Sequence, residues 1–218
     1  MSYKAVLFDL DGTLLDTLTD LADSTNAMLR HFGFPEHPRD EYRYFVGDGI
    51  EVLIERALPA DRRDRATVIE CGRRMRTEYG ERWAATTRPY PGVPELLDAL
   101  AARGVPMAVL SNKPDEFTRL CVTRLLSRWQ FDTVVGSGPS LPRKPDPAGA
   151  TEVARRLGVA PAEILYLGDT NTDMQTSVAA GMFPVGALWG FRTADELTAA
   201  GARALAATPH EVLCILDG

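Results

Sequence analysis

Ala5-Val6-Leu7-Phe8-Asp9-Leu10-Asp11-Gly12-Thr13 starts with an unbroken apolar run and ends in two carboxylates, a glycine and a hydroxyl. Continuous rather than alternating hydrophobicity fits a strand buried on both faces, as in a parallel sheet. Two later runs stop in the same manner: Met107-Ala108-Val109-Leu110 meets Ser111, and Ile164-Leu165-Tyr166-Leu167 meets Gly168-Asp169. Residues 131–135, 184–188 and 202–206 read as further strands, with helical patterns over 93–102, 114–126, 147–157, 172–180 and 194–200. This alternation, from Tyr90 to the end, predicts an α/β fold with a doubly wound (Rossmann-like) parallel sheet and right-handed crossovers.

Before Tyr90 the rhythm changes. Residues 17–32, 50–58 and 61–83 look helical, with breaks at Gly33, Gly47-Asp48-Gly49 and Pro59, and no strand-like run lies among them. A helical cap over 16–88 is therefore expected, inserted into an α/β core formed by 1–15 and 89–218. A chain of 218 residues suits such a core with a smaller module. The formal net charge of −6 argues against a nucleic-acid or anionic-membrane partner. The apolar stretches are also too short to span a bilayer. Cys71, Cys121 and Cys214 stand apart in no metal-binding spacing and read as reduced thiols of a cytoplasmic protein. Residues 61–82 hold seven arginines against five acids, an interleaving that reads as a solvated helix face.

The chemistry collects at strand ends. In a parallel α/β sheet, ligands bind outside the carboxyl ends of the strands, where Asp9, Ser111 and Asp169 are expected to meet. Asp9 and Asp11, at i and i+2, leave a strand on one side, and Gly12 lets the backbone pass close to a ligand. One carboxylate can attack phosphorus while a neighbouring acid protonates the leaving alkoxide. Asp169 and Asp173 form a second acidic pair. Magnesium takes one or two carboxylates with waters and a phosphate oxygen, which Asp9 and Asp169 would supply, with Asp173 as a direct or outer acid. The cation offsets the repulsion between an anionic nucleophile and an anionic phosphate. Lys144, in the proline-rich loop Pro142-Arg143-Lys144-Pro145-Asp146-Pro147, can fix an ammonium near Asp9, and Ser111-Asn112 offers phosphate donors. Lys113 reads as solvated or at the domain contact, and Asn171 as the cap of the following helix.

Asp9-Leu10-Asp11-Gly12-Thr13, Ser111-Asn112, Lys144-Pro145 and Gly168-Asp169 with Asp173 stand in the order and spacing of the four motifs of the haloacid dehalogenase superfamily, which the chain resembles over its whole length. Leu14-Leu15-Asp16-Thr17, Val46-Gly47-Asp48-Gly49, Pro89-Tyr90-Pro91-Gly92-Val93, Lys144-Pro145-Asp146-Pro147 and Trp189-Gly190-Phe191-Arg192 look like its phosphoglycolate phosphatase branch. The resemblance implies Asp9 as nucleophile and Asp11 as acid/base. It places the phosphate on Ser111, Asn112, Lys144, Gly12 and Thr13, and magnesium at Asp9, Asp169 and the Asp11 carbonyl, with Asp173 direct or through water. The chain departs from the pattern at Gly138-Pro139, where relatives often carry an acid. Arg43 is the candidate for reading the substrate.

The expected reaction is hydrolysis of a small phosphorylated metabolite, best read as 2-phosphoglycolate, through an aspartyl phosphate. A pyrophosphatase and a phosphosugar phosphatase or mutase share the core chemistry. A dehalogenase needs neither Asp11 nor Asp169, and a non-catalytic phosphate-binding protein would have no need of the intact motif set. Monomer and homodimer remain equally open.

Overall fold

The computed structural model describes residues 3–217. Its strands are β1 (Ala5–Phe8), β2 (Leu15–Asp16), β3 (Arg88–Pro89), β4 (Met107–Pro114), β5 (Thr133–Ser137), β6 (Ile164–Gly168), β7 (Phe183–Ala187) and β8 (Ala204–Ala206). Six of them form one parallel sheet in the order β5-β4-β1-β6-β7-β8. The apolar run of β1 is explained by its two neighbours: Val6 and Phe8 pack in one buried cluster, Ala5 and Leu7 in another on the opposite face. The helices are α1 (Leu18–His31), α2 (Tyr42–Phe45), α3 (Ile50–Ala57), α4 (Arg65–Arg82), α5 (Val93–Ala102), α6 (Asp115–Leu125), α7 (Ala148–Leu157), α8 (Asn171–Ala179), α9 (Ala194–Ala199) and α10 (Glu211–Asp217). Leu96, Leu97 and Leu100 of α5, with Val212 of α10, cover one face of the sheet, and Ala150 and Val153 of α7 cover the other.

The chain leaves β1 at the centre of the sheet, builds β4 and β5 on one side, then returns to build β6, β7 and β8 on the other. The carboxyl end of β1 is therefore the point where the strand order reverses, the place where such sheets bind ligands. Helices α1 to α4 pack around a separate apolar cluster that includes Met28, Leu29, Tyr42, Ile54 and Met75, joined by Phe117 of α6 and by Phe191.

Several expectations shift. The sequence showed no strand between β1 and Tyr90, yet β2 and β3 pair antiparallel, Leu15 against Pro89 and Asp16 against Arg88. These are the two passages of the chain between the sheet and the helical layer; side by side they satisfy each other's backbone groups, and two residues are too few to show a period. The segment expected to start a helix at Asp61 instead holds a short 3₁₀ turn (Ala60–Arg62), and α4 begins after Asp64, whose carboxylate accepts from the N–H groups of Ala66 and Thr67. Strand β4 runs on through Ser111, Asn112 and Lys113 to Pro114, three residues into the expected turn. Helices α2 and α10 were not anticipated. The arginine-rich stretch is a solvated helix face for the most part, although Glu78 is buried between Arg74 and Arg82.

Asp20 of α1 ties this crossing together. Its buried carboxylate accepts from the backbone N–H and the hydroxyl of both Thr86 and Thr87, at 2.7–3.0 Å. Burial acts to raise its pKa, but these hydrogen bonds outweigh it and hold the carboxyl below its usual range. Asp20→Ala strands two backbone donors and is expected to cost about 2–4 kcal/mol. Urea unfolding should show this as a lower midpoint at unchanged slope.

Candidate active site

The DxDGT turn is shaped by close approach. Gly12 has φ +88°, and a Cβ there would lie 2.2 Å from an oxygen of Asp169, so glycine is required on both counts. Thr13 Oγ1 donates to Asp169 Oδ1 at 2.7 Å, and the Phe191 N–H donates to Asp169 Oδ2 at 2.8 Å. Gly190 clears the far side of the same carboxylate, and Trp189 Nε1 donates to the Thr13 carbonyl at 2.9 Å. The Trp189-Gly190-Phe191 stretch, read from sequence only as part of a resemblance, is thus the wall that fixes Asp169.

Lys144 lies at the centre. Its Nζ donates to Asp9 Oδ1 at 2.7 Å, Asp173 Oδ1 at 2.6 Å and the Leu110 carbonyl at 3.1 Å. Asp173 also accepts from Tyr166 Oη at 3.2 Å, and from the Thr170 N–H and hydroxyl at 3.0 and 2.6 Å. The capping residue of α8 is therefore Thr170 and not Asn171: Thr170 and Asp173 cap each other reciprocally, as the Thr-x-x-Asp spacing allows. Asn112 is fully engaged, donating to the Gly47 and Lys144 carbonyls and accepting the Lys144 N–H, so it holds the lysine loop in place. Ser111 Oγ accepts the Lys113 N–H at 3.2 Å, leaving its own proton for a ligand.

Lys113 lies at the domain contact, against Tyr79 of α4, the second of the two placements its sequence allowed. It is 6% exposed, not solvated, and its Nζ lies 2.9 and 3.1 Å from the two oxygens of Asp11. Because β4 continues through this residue, its side chain is carried inward to the edge of β1. Arg43 stays exposed and donates to the Gly190 carbonyl at 3.0 Å, an attachment between the helical layer and the sheet; it does not line the pocket.

A pocket of about 570 Å³, including its open mouth, lies between the sheet edge and the helices. Asp9, Asp11, Ser111, Asn112 and Lys113 form its floor; Leu21, Val46, Ile50, Leu53, Met75 and Tyr79 form its roof.

Electrostatics mark this as a strained cluster. Burial pushes the Asp9 carboxyl up to about 7, with Lys144 pulling the other way. Asp169 is raised well above its ordinary value by burial, then by Asp9 and Asp173. Burial alone would lower the Lys144 ammonium, but Asp173 and Asp9 hold it well above its usual value. Ligand oxygens of Asp9, Asp169 and Asp173 lie within 4.8 Å of one another. Among the described residues Lys144 is the one ammonium that touches this trio, so the donor set is all oxygen with an excess of negative charge. That chemistry fits a hard divalent cation such as magnesium.

A model of the family described as haloacid dehalogenase-like hydrolase matches residues 6–187, and the chain belongs to that family. It is 40% identical over 183 residues to a phosphoglycolate phosphatase of Nitrosospira multiformis, covering 82% of this chain and 80% of that one. It is 32% identical over 188 residues to a phosphoglycolate phosphatase of Aquifex aeolicus, covering 86% of each. The solved structure of a Lactobacillus delbrueckii subsp. bulgaricus protein superposes with a TM-score of 0.94 at 28% identity, covering 100% of both chains.

The raised Asp9 pKa has a measurable consequence. Between 3.8, its ordinary value, and about 7, the native state binds more protons than the unfolded chain, so this group makes metal-free protein less stable as pH rises through that window. A divalent cation competes with that proton. Magnesium should therefore raise Tm by several degrees at about pH 7.5 and by clearly less at about pH 5 in calorimetry. Equal shifts at both pH values would contradict the assignment.

Proposed function

We propose that this haloacid dehalogenase-like hydrolase is a magnesium-dependent phosphatase of small phosphorylated metabolites, with 2-phosphoglycolate the best-supported substrate. The observation that carries the reading is the placement of Asp9 at the carboxyl end of β1, 2.7 Å from the Lys144 ammonium and open to the pocket beside Asp11. The names of the relatives support the substrate.

An Asp9 oxygen attacks phosphorus in line, forming an aspartyl phosphate as the P–O bond to the alcohol breaks. Asp11 gives its proton to the departing alkoxide. Asp11 then takes a proton from water, whose oxygen attacks phosphorus and releases inorganic phosphate and free Asp9. Lys144 and the Ser111 hydroxyl neutralise and orient the phosphoryl oxygens, so that most of the catalysis is positioning and charge stabilisation. Thr13 and Gly12 act through Asp169. Magnesium would be held by Asp9, Asp169 and the Asp11 carbonyl, and would supply charge neutralisation at the phosphoryl group. Asp173, whose oxygens accept from Lys144, Tyr166 and Thr170, would serve the cation directly or through water. Residues 16–88 form a cap over the core of 1–15 and 89–218, excluding bulk water when substrate is bound. A cytoplasmic setting agrees with the free thiols of Cys71, Cys121 and Cys214; among the described residues no helix is long and apolar enough to cross a membrane.

Phosphate release should be measured on a panel of 2-phosphoglycolate, sugar phosphates and pyrophosphate. Release from the best substrate is expected to vanish in EDTA, return with magnesium, and fall at least ~10³-fold in Asp9→Asn. No release from any phosphate by folded protein would replace this reading with a phosphate-binding role.

A further inference from the structure

The pocket is unevenly polar. Over its roof the side chains are Leu21, Val46, Ile50, Leu53 and Met75, with Phe117 beside them. Lys113 is the one cationic side chain lining it among the described residues. An ammonium has three N–H donors. Lys113 directs its contacts at the two Asp11 oxygens. Tyr79 of α4 stands next to it, with Lys113 Nζ 4.6 Å from its ring centre. The Tyr79 hydroxyl is buried and makes no hydrogen bond of acceptable distance and angle. A buried hydroxyl without a partner costs stability until an acceptor arrives. An ammonium and a phenol hydroxyl thus stand together, lining the pocket beside the carboxyl group that would protonate the leaving oxygen.

We propose that Lys113 and Tyr79 form the subsite that reads the leaving group, and that what they read is a carboxylate one carbon from the ester oxygen. In 2-phosphoglycolate, the substrate proposed above, that group is the carboxylate, and the assignment of these two side chains to it is what is new. This rests on the phosphatase reading above. With the leaving oxygen at Asp11, a carboxylate attached through one carbon falls beside Asp11, within reach of the ammonium that Asp11 already holds. Lys113 then lies between the Asp11 carboxyl group and the substrate carboxylate, whose charge it offsets. The apolar roof rejects the alternative: the hydroxyls of a sugar phosphate would leave water and meet Leu21, Val46, Ile50 and Met75, which offer no partner. Lys113 also holds Asp11, so its substitution must be read as a ratio between substrates.

The test compares kcat/KM for 2-phosphoglycolate, its neutral amide and a pentose 5-phosphate, in the wild type, Lys113→Met and Tyr79→Phe. The wild type should prefer the acid to the amide by at least ~100-fold and turn over the pentose phosphate least. Lys113→Met should lower activity on both, but shrink the acid-to-amide ratio by ~10-fold or more. Tyr79→Phe, which keeps the ring, should raise KM for the acid several-fold with kcat retained. An equal loss on acid and amide in Lys113→Met would make Lys113 a positioning residue for Asp11 and overturn the proposal, as would a wild type indifferent to the carboxylate. Should Lys113→Met not fold, the wild-type ratio and the Tyr79→Phe KM decide it. Vigorous turnover of sugar phosphates would overturn the subsite while sparing the phosphatase reading, whereas absence of all turnover would overturn both.

Discussion

One ammonium shared between two buried carboxylates organises this molecule. Lys144 Nζ lies 2.7 Å from Asp9 and 2.6 Å from Asp173, and all three side chains are almost wholly hidden from solvent. Such a group is costly to bury and gains enough from its partners only if the geometry is held tightly. The surroundings supply that restraint. Asn112 grips the lysine backbone on both sides, Tyr166 and Thr170 fix Asp173, and the adjacent strands β1, β4 and β6 set the spacing. Removing one carboxylate or the lysine alone would leave a buried charge uncompensated, a larger loss than replacing the whole group.

The second lysine gives the site its charge balance. Of the four carboxyl groups here, Asp9 and Asp173 are contacted by Lys144 and Asp11 by Lys113, while Asp169 accepts from Thr13 and Phe191. With every group ionised the cluster is two negative charges in excess, the amount a dication cancels. The helical layer closes over this cluster by contacts of modest strength. Thr172 reaches Asp48 at 2.7 Å, Asn112 reaches the Gly47 carbonyl at 3.1 Å, and Arg143 meets Glu51 at 3.0 Å. The Arg143–Glu51 and Arg76–Glu116 pairs are solvent-exposed and each worth about 1 kcal/mol or less.

Much of this was legible in the chain. The sheet followed from apolar runs that end in a polar residue, and Asp9, Asp11, Asp169 and Lys144 followed from what phosphate chemistry needs at those ends. For Lys113 the domain contact was legible but the pairing was not, because a lysine is buried only beside an opposite charge and its partner Asp11 lies 102 positions away. Its one local sign was that β4 need not stop at Leu110. Tyr79 gave no sign either: on a charged helix it reads as packing, and only the tertiary fold puts it against Lys113. Thr170 was readable, since Thr-x-x-Asp is a capping pattern, and Asn171 drew attention away from it. Arg43, the candidate for reading the substrate, has its observed partner far along the chain as well. Its guanidinium donates to the Gly190 carbonyl, 147 positions away, which its local sequence does not reveal. Residues fixed by local geometry showed themselves, and residues fixed by distant partners did not.

The central claim is that Asp9 itself becomes phosphorylated. Acid quenching during turnover of 2-phosphoglycolate with magnesium, followed by peptide mapping with mass spectrometry, tests it directly. A phosphoryl adduct on the peptide carrying Asp9–Thr13, formed during turnover, absent in EDTA and absent from Asp9→Asn, is the predicted result. Phosphate release at full rate with no adduct on that peptide, or with the adduct on another residue, would contradict it.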